Sequence, residues 1–164
     1  MEMQRQDLMG SIGLLILRVG VGGYLLTHGW GKLQMMLAGG FDKFGDPIGM
    51  GSAMSLALVT VAEFFCALAV MFGLATRLAA AVIVISMSVA AFVAHGADPW
   101  TMQEGYRLFM TGASKSPASR EPALLYLIPF AALIFTGAGR LSFDGSIWPR
   151  WRKRRADGRR TARR

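Results

Sequence analysis

Four apolar runs, at about 8–30, 52–74, 78–95 and 123–139, constrain this 164-residue chain more than any other feature. Each is close to the roughly 20 residues a helix needs to cross a hydrocarbon core about 30 Å thick. In lipid a backbone must pair its own N–H and C=O groups, so runs of this length predict helices. The very short connection Ala75-Thr76-Arg77 forces the second and third runs into a hairpin. With 53% hydrophobic and 17% charged residues the chain is too apolar for an ordinary soluble domain. It is expected to be all-α: an integral membrane, antiparallel four-helix bundle over 1–148, followed by a basic tail over 149–164.

The net charge of +8 belongs to that tail. Nine of the eighteen Lys and Arg residues lie from Arg150 onward, and the rest of the chain balances to neutrality. A basic block beside an apolar helix points to the positive-inside rule and to anionic lipid as its partner, not to nucleic acid. With the tail inside and four spans, both termini are cytoplasmic and both longer connectors, 31–51 and 96–120, face outward. Glu2, Asp7 and the length of the first run argue for a retained span rather than a cleaved signal. Trp100, Tyr106 and Phe109, set among polar residues, suit either a segment at headgroup level or a simple loop.

Ionised side chains inside a span cost about 2.5–3.5 kcal/mol on insertion scales, which draws attention to Arg18 and Glu63. Counted from the edges of their runs, both fall near mid-depth, and an Arg18–Glu63 ion pair between the first two helices is expected. Such a pair either pins the helices or handles a substrate or proton. His28 and His95 end the first and third runs, and Lys32 lies one turn past His28. Arg18, His28, Lys32, Glu63 and His95 are thus candidate substrate-binding residues along one polar path, with Glu63 and His28 as candidate catalytic proton carriers. The bland alternative leaves the histidines bonded to backbone or headgroups.

Other signals are weaker. Two histidines and one buried carboxylate do not make a metal site, so no metal is expected. The single cysteine, Cys66, excludes an internal disulfide and reads as packing. Gly20-Val21-Gly22-Gly23 sits within an apolar run, where small residues let helices approach closely, and is no dinucleotide loop.

The charged positions nevertheless fall into a pattern. Leu17-Arg18, then His28-Gly29-Trp30-Gly31-Lys32-Leu33; Glu63 ahead of Gly73-Leu74-Ala75-Thr76-Arg77; and Glu121-Pro122 leading to Gly137-Ala138-Gly139-Arg140-Leu141-Ser142-Phe143-Asp144 resemble the DoxX family of small four-helix membrane proteins of bacteria and archaea. The long 96–120 connector and the Arg-rich tail depart from the family's pattern.

The resemblance implies a multi-pass protein of the cytoplasmic (inner) membrane. It also implies a membrane subunit or partner of a quinone-linked oxidoreductase in sulfur or thiol redox chemistry or oxidative-stress defence. No intrinsic redox cofactor is expected, only a bound isoprenoid quinone; electrons would come from a soluble or membrane oxidoreductase subunit. A homo-oligomer is compatible with the sequence. Two other classes stay open: a non-catalytic scaffold that recruits a soluble enzyme through the tail, and a small-solute transporter using the same path.

Overall fold

A computed structural model of the chain describes residues 2–146, and among these there are helices and no strands. Helix α1 (Glu2–Leu37) is followed by a single 3-10 turn at Phe41–Lys43. Then come α2 (Ser52–Phe72), α3 (Thr76–Ala94), α4 (Met102–Met110), α5 (Glu121–Thr136) and the short α6 (Phe143–Ser146). Three helices are long and apolar enough to cross a membrane, at Asp7–Leu37, Ser52–Phe72 and Thr76–Ala94; α5 is apolar but shorter. The set is compatible with a membrane helical bundle. The expected basic tail, 149–164, lies outside the described residues.

The apolar runs locate the helices, but hydropathy edges are not helix ends. Helix α1 continues to Leu37, well past the expected edge at 30, because Lys32 and Gln34 can continue a helix where the polar headgroup region begins. The 96–120 connector contains α4, whose Met102, Tyr106, Phe109 and Met110 remain exposed beside an i, i+3 Glu104–Arg107 pair, the pattern of a helix lying at an interface.

The core is small. Leu25 of α1, Ala67 and Val70 of α2, Ala80, Ile83 and Ala91 of α3, and Phe130 and Leu133 of α5 are buried against one another. Large side chains such as Ile16, Leu78, Ile85, Ile128 and Phe135 point outward, as lipid-facing residues do.

Two departures from regular helix position the site. Val61–Cys66 in α2 and Ala90–Ala94 at the end of α3 are π-helical turns, a form concentrated at functional positions because the extra residue re-aims side chains. The first turn carries Glu63 and the second delivers His95, whose N–H donates to Ala90 O five residues back.

Candidate functional site

The expected Arg18–Glu63 pair does not form. Arg18 is fully buried and donates Nη1 to Val70 O and Met71 O and Nη2 to Leu141 O at 3.2, 3.3 and 2.6 Å. Glu63 instead accepts from Lys32 Nζ at 2.5 Å. The reason is register. Helix α1 ends at Leu37 and α2 opens at Ser52, so Arg18, about nineteen residues before that end, meets the far end of α2 rather than its middle. Gly29, not Arg18, stands opposite Glu63: a Cβ on Gly29 would fall 2.4 Å from the Glu63 carbonyl carbon.

Arg18 belongs to a structural joint. Helix α2 ends in a left-handed Gly73 (φ 72°), where Leu74 N donates to Ala69 O at 2.8 Å. The Arg18 guanidinium sits on the carbonyls of this last turn, the negative end of the helix dipole. Asp144 completes the joint from the other side. Its carboxylate accepts the N–H groups of Ala75 and Thr76 at 2.9 and 2.8 Å, opening α3, while its own N–H donates to Gly73 O at 2.9 Å. That clamp offsets the cost of a left-handed alanine, Ala75 (φ 45°). Arg77 likewise donates Nη2 to Phe135 O near the end of α5.

The other four expected site residues do come together. Lys32, His28, Glu63 and His95 line one cavity of about 290 Å³ between α1, α2, α3 and the start of α5. Glu63 is nearly closed off from solvent, while the Lys32 side chain keeps 24% of its surface. The His28 ring stands edge-on to Tyr126 of α5, 5.7 Å between centroids. His95 Nδ1 lies 2.8 Å from Asp98 Oδ2, so the imidazole that lines the cavity has a carboxylate partner.

Three cavity neighbours carried no functional expectation. Tyr126 and Asp98 had a faint signal: Tyr126 lies within the Glu121-Pro122 motif, and Asp98 is spaced i, i+3 from His95. Ser119 had none. It lines the cavity from the α4–α5 connector, and its buried hydroxyl has no hydrogen-bond partner among the described residues.

A second, apolar cleft of about 640 Å³ runs between α1 and α5, lined by Ile16, Leu17, Val21, Tyr24 and Leu125 among others. His28, Tyr126, Met102 and Pro122 line both spaces. Among the described residues no three His, Cys, Asp or Glu side chains gather as metal ligands.

The DoxX family model matches residues 13–96, just over half of the chain. That stretch holds Arg18, His28, Gly29, Lys32, Glu63, the α2–α3 connector and His95. No curated protein and no solved structure matches the chain.

Proposed function

Because the chain belongs to the DoxX family, we propose that it is the membrane subunit of a quinone-linked oxidoreductase and that the cavity at Lys32 and Glu63 receives the head of an isoprenoid quinone. The observation that carries this reading is the shared wall between a polar cavity and an apolar cleft, made by His28, Tyr126, Met102 and Pro122. A ligand with a polar ring and a hydrocarbon chain can use both at once, and their volumes suit small-molecule pockets of about 300–1,000 Å³. The surrounding bundle is antiparallel, with both termini cytoplasmic and the site toward the outer face. The basic tail then lies against anionic lipid and a partner subunit supplies the electrons.

When bound, a quinone takes up two electrons and two protons. The protein's own share is to hold the ring and move the protons. Lys32 is a cationic donor fixed by Glu63, and Glu63 is a carboxylate able to pass a proton on. His95, oriented by Asp98 and half exposed, connects the cavity to the outer aqueous side. The π-turn under Glu63 and the close approach of Gly29 hold these groups at fixed positions.

The test is to purify the full chain gently from its native membrane and extract bound lipid for mass spectrometry, with decylubiquinone titrated into the same preparation. Quinone in the extract, saturable binding, and loss of both in Lys32→Met support the reading. Absence of quinone together with no saturable binding would overturn it.

A further inference from the structure

The α2–α3 joint borders a third space, about 20 Å along α1 from the cavity at Lys32 and Glu63. It is an apolar cleft of about 660 Å³, lined by Leu15 and Val19 of α1, Met71 and Phe72 at the end of α2, and residues of the 140–146 segment. Val19, Phe72, Leu141 and Phe143 all remain exposed, so the cleft is open along its side. Phe72 is also the last residue of the span Ser52–Phe72, which puts the cleft where hydrocarbon gives way to headgroups.

Arg140 stands at this cleft with its charge unspent. Arg18, Arg77, Arg107 and Arg120 all donate to carbonyl or carboxylate oxygens, whereas the exposed Arg140 side chain has no hydrogen bond or ion pair among the described residues. Its backbone is held in place: the N–H donates to Ser11 Oγ at 3.2 Å, and a Cβ on Gly145 would lie 3.0 Å from Arg140 Cα. No Asp or Glu lines the cleft. The neighbouring acid, Asp144, is committed to the Ala75 and Thr76 N–H groups, and the Ser142 and Ser146 hydroxyls donate to Gly139 O and Ser142 O.

We propose that this cleft is a binding site for one anionic phospholipid, with an acyl chain along Val19, Met71 and Phe72 and the phosphate on Arg140. Basic pockets between spanning helices take such headgroups, and a guanidinium can give a phosphate two parallel N–H bonds. A zwitterionic lipid is a poorer fit, because its own ammonium repels the arginine and competes for the phosphate. The basic run that begins at Arg150, four positions after Ser146 in the sequence, tethers the chain's charge excess to the same end of the bundle. The site is separate from the quinone cavity and does not depend on it.

The test is native mass spectrometry of the full chain in mild detergent, titrated with phosphatidylglycerol or with phosphatidylcholine of the same acyl chains. Wild type should retain one phosphatidylglycerol at concentrations where phosphatidylcholine is not held. Arg140→Gln should lower phosphatidylglycerol affinity roughly three- to tenfold, and Arg140→Lys, which keeps the charge without the fork, should fall between. The lipid-free melting temperature of both variants should match wild type, since no partner is lost. Arg152→Gln, in the tail, should change affinity less than twofold. Equal affinity in wild type and Arg140→Gln would overturn the proposal, as would an equal loss in Arg152→Gln, which would mean diffuse attraction. Displacement of the lipid by glycerol 3-phosphate at the same concentration would overturn it too, by showing a site for the anion alone.

Discussion

Lys32 and Glu63 meet across the first two helices, with Nζ 2.5 Å from Oε2 and the carboxylate side chain 7% exposed. Breaking a fully buried pair from one side costs about 3–5 kcal/mol, because a charge is left without its partner. The Lys32 side chain is 24% exposed, so Lys32→Met is expected to lose about 2–3 kcal/mol. Adding Glu63→Gln should recover part of that loss, giving a non-additive double-mutant cycle in detergent unfolding. Strict additivity would mean that the two side chains are not coupled.

Arg18 is expected to matter for folding and not for ligand. Its guanidinium serves three carbonyls of the α2–α3 joint, and it does not line the cavity. Arg18→Met should therefore destabilise the protein by at least about 3 kcal/mol, as hydrogen bonds to a charged group are worth about 1.5–3 kcal/mol each. Decylubiquinone affinity of the fraction that remains folded should stay within about twofold of wild type. Asp144→Asn should weaken the same joint by about 1 kcal/mol, because the amide keeps one acceptor oxygen for the Ala75 and Thr76 N–H groups and turns an NH2 toward the other. A selective loss of ligand affinity in Arg18→Met would place the arginine back in the site.

Asp46 sets a pH dependence outside the membrane. Its carboxylate accepts from Gly51 N at 2.8 Å, Ser55 Oγ at 2.8 Å and Met50 N at 3.0 Å, fastening the loop to the start of α2. The Gly51 N–H first, then the Ser55 hydroxyl, hold its carboxyl below the ordinary aspartate value. A carboxyl lowered on folding contributes stability that is complete above the unfolded value of about 3.9 and is lost as pH falls through the folded one. Wild type should thus melt higher than Asp46→Asn near pH 6, and the gap should close as the pH drops below about 4. A gap independent of pH would contradict the assignment.

The helices were legible in the sequence because lipid leaves a backbone few choices, so apolar length alone located α1, α2, α3 and α5. The polar path was legible in part. His28, Lys32, Glu63 and His95 are brought together, since His28 and Lys32 lie in the C-terminal part of α1, His95 follows the end of α3, and Glu63 sits on the mid-helix turn of α2 that Gly29 abuts. Arg18 was misplaced because depth was counted from hydropathy edges, whereas helix–helix register follows from the true ends at Leu37 and Ser52. The π-turns at Val61–Cys66 and Ala90–Ala94 leave no mark on apolar periodicity, and Ser119 is exposed or buried according to tertiary packing alone.

Gly29 tests whether the close approach of α1 to the Glu63 turn is needed. A Cβ at this position would meet the Glu63 carbonyl carbon and oxygen and Phe64 N at 2.4, 2.5 and 2.6 Å, and backbone cannot yield as the tip of a flexible side chain can. Gly29→Ala must therefore push the helices apart, at about 1–3 kcal/mol for overpacking. It should also weaken decylubiquinone binding by separating Lys32 from Glu63. Gly23, six residues earlier on the same helix, has open space where its Cβ would go. Gly23→Ala should be neutral or stabilising by up to about 1 kcal/mol, through the better helix propensity of alanine. Equal melting temperatures and equal binding in the two variants would show that the helices have room to spare at Gly29, contrary to the packing described.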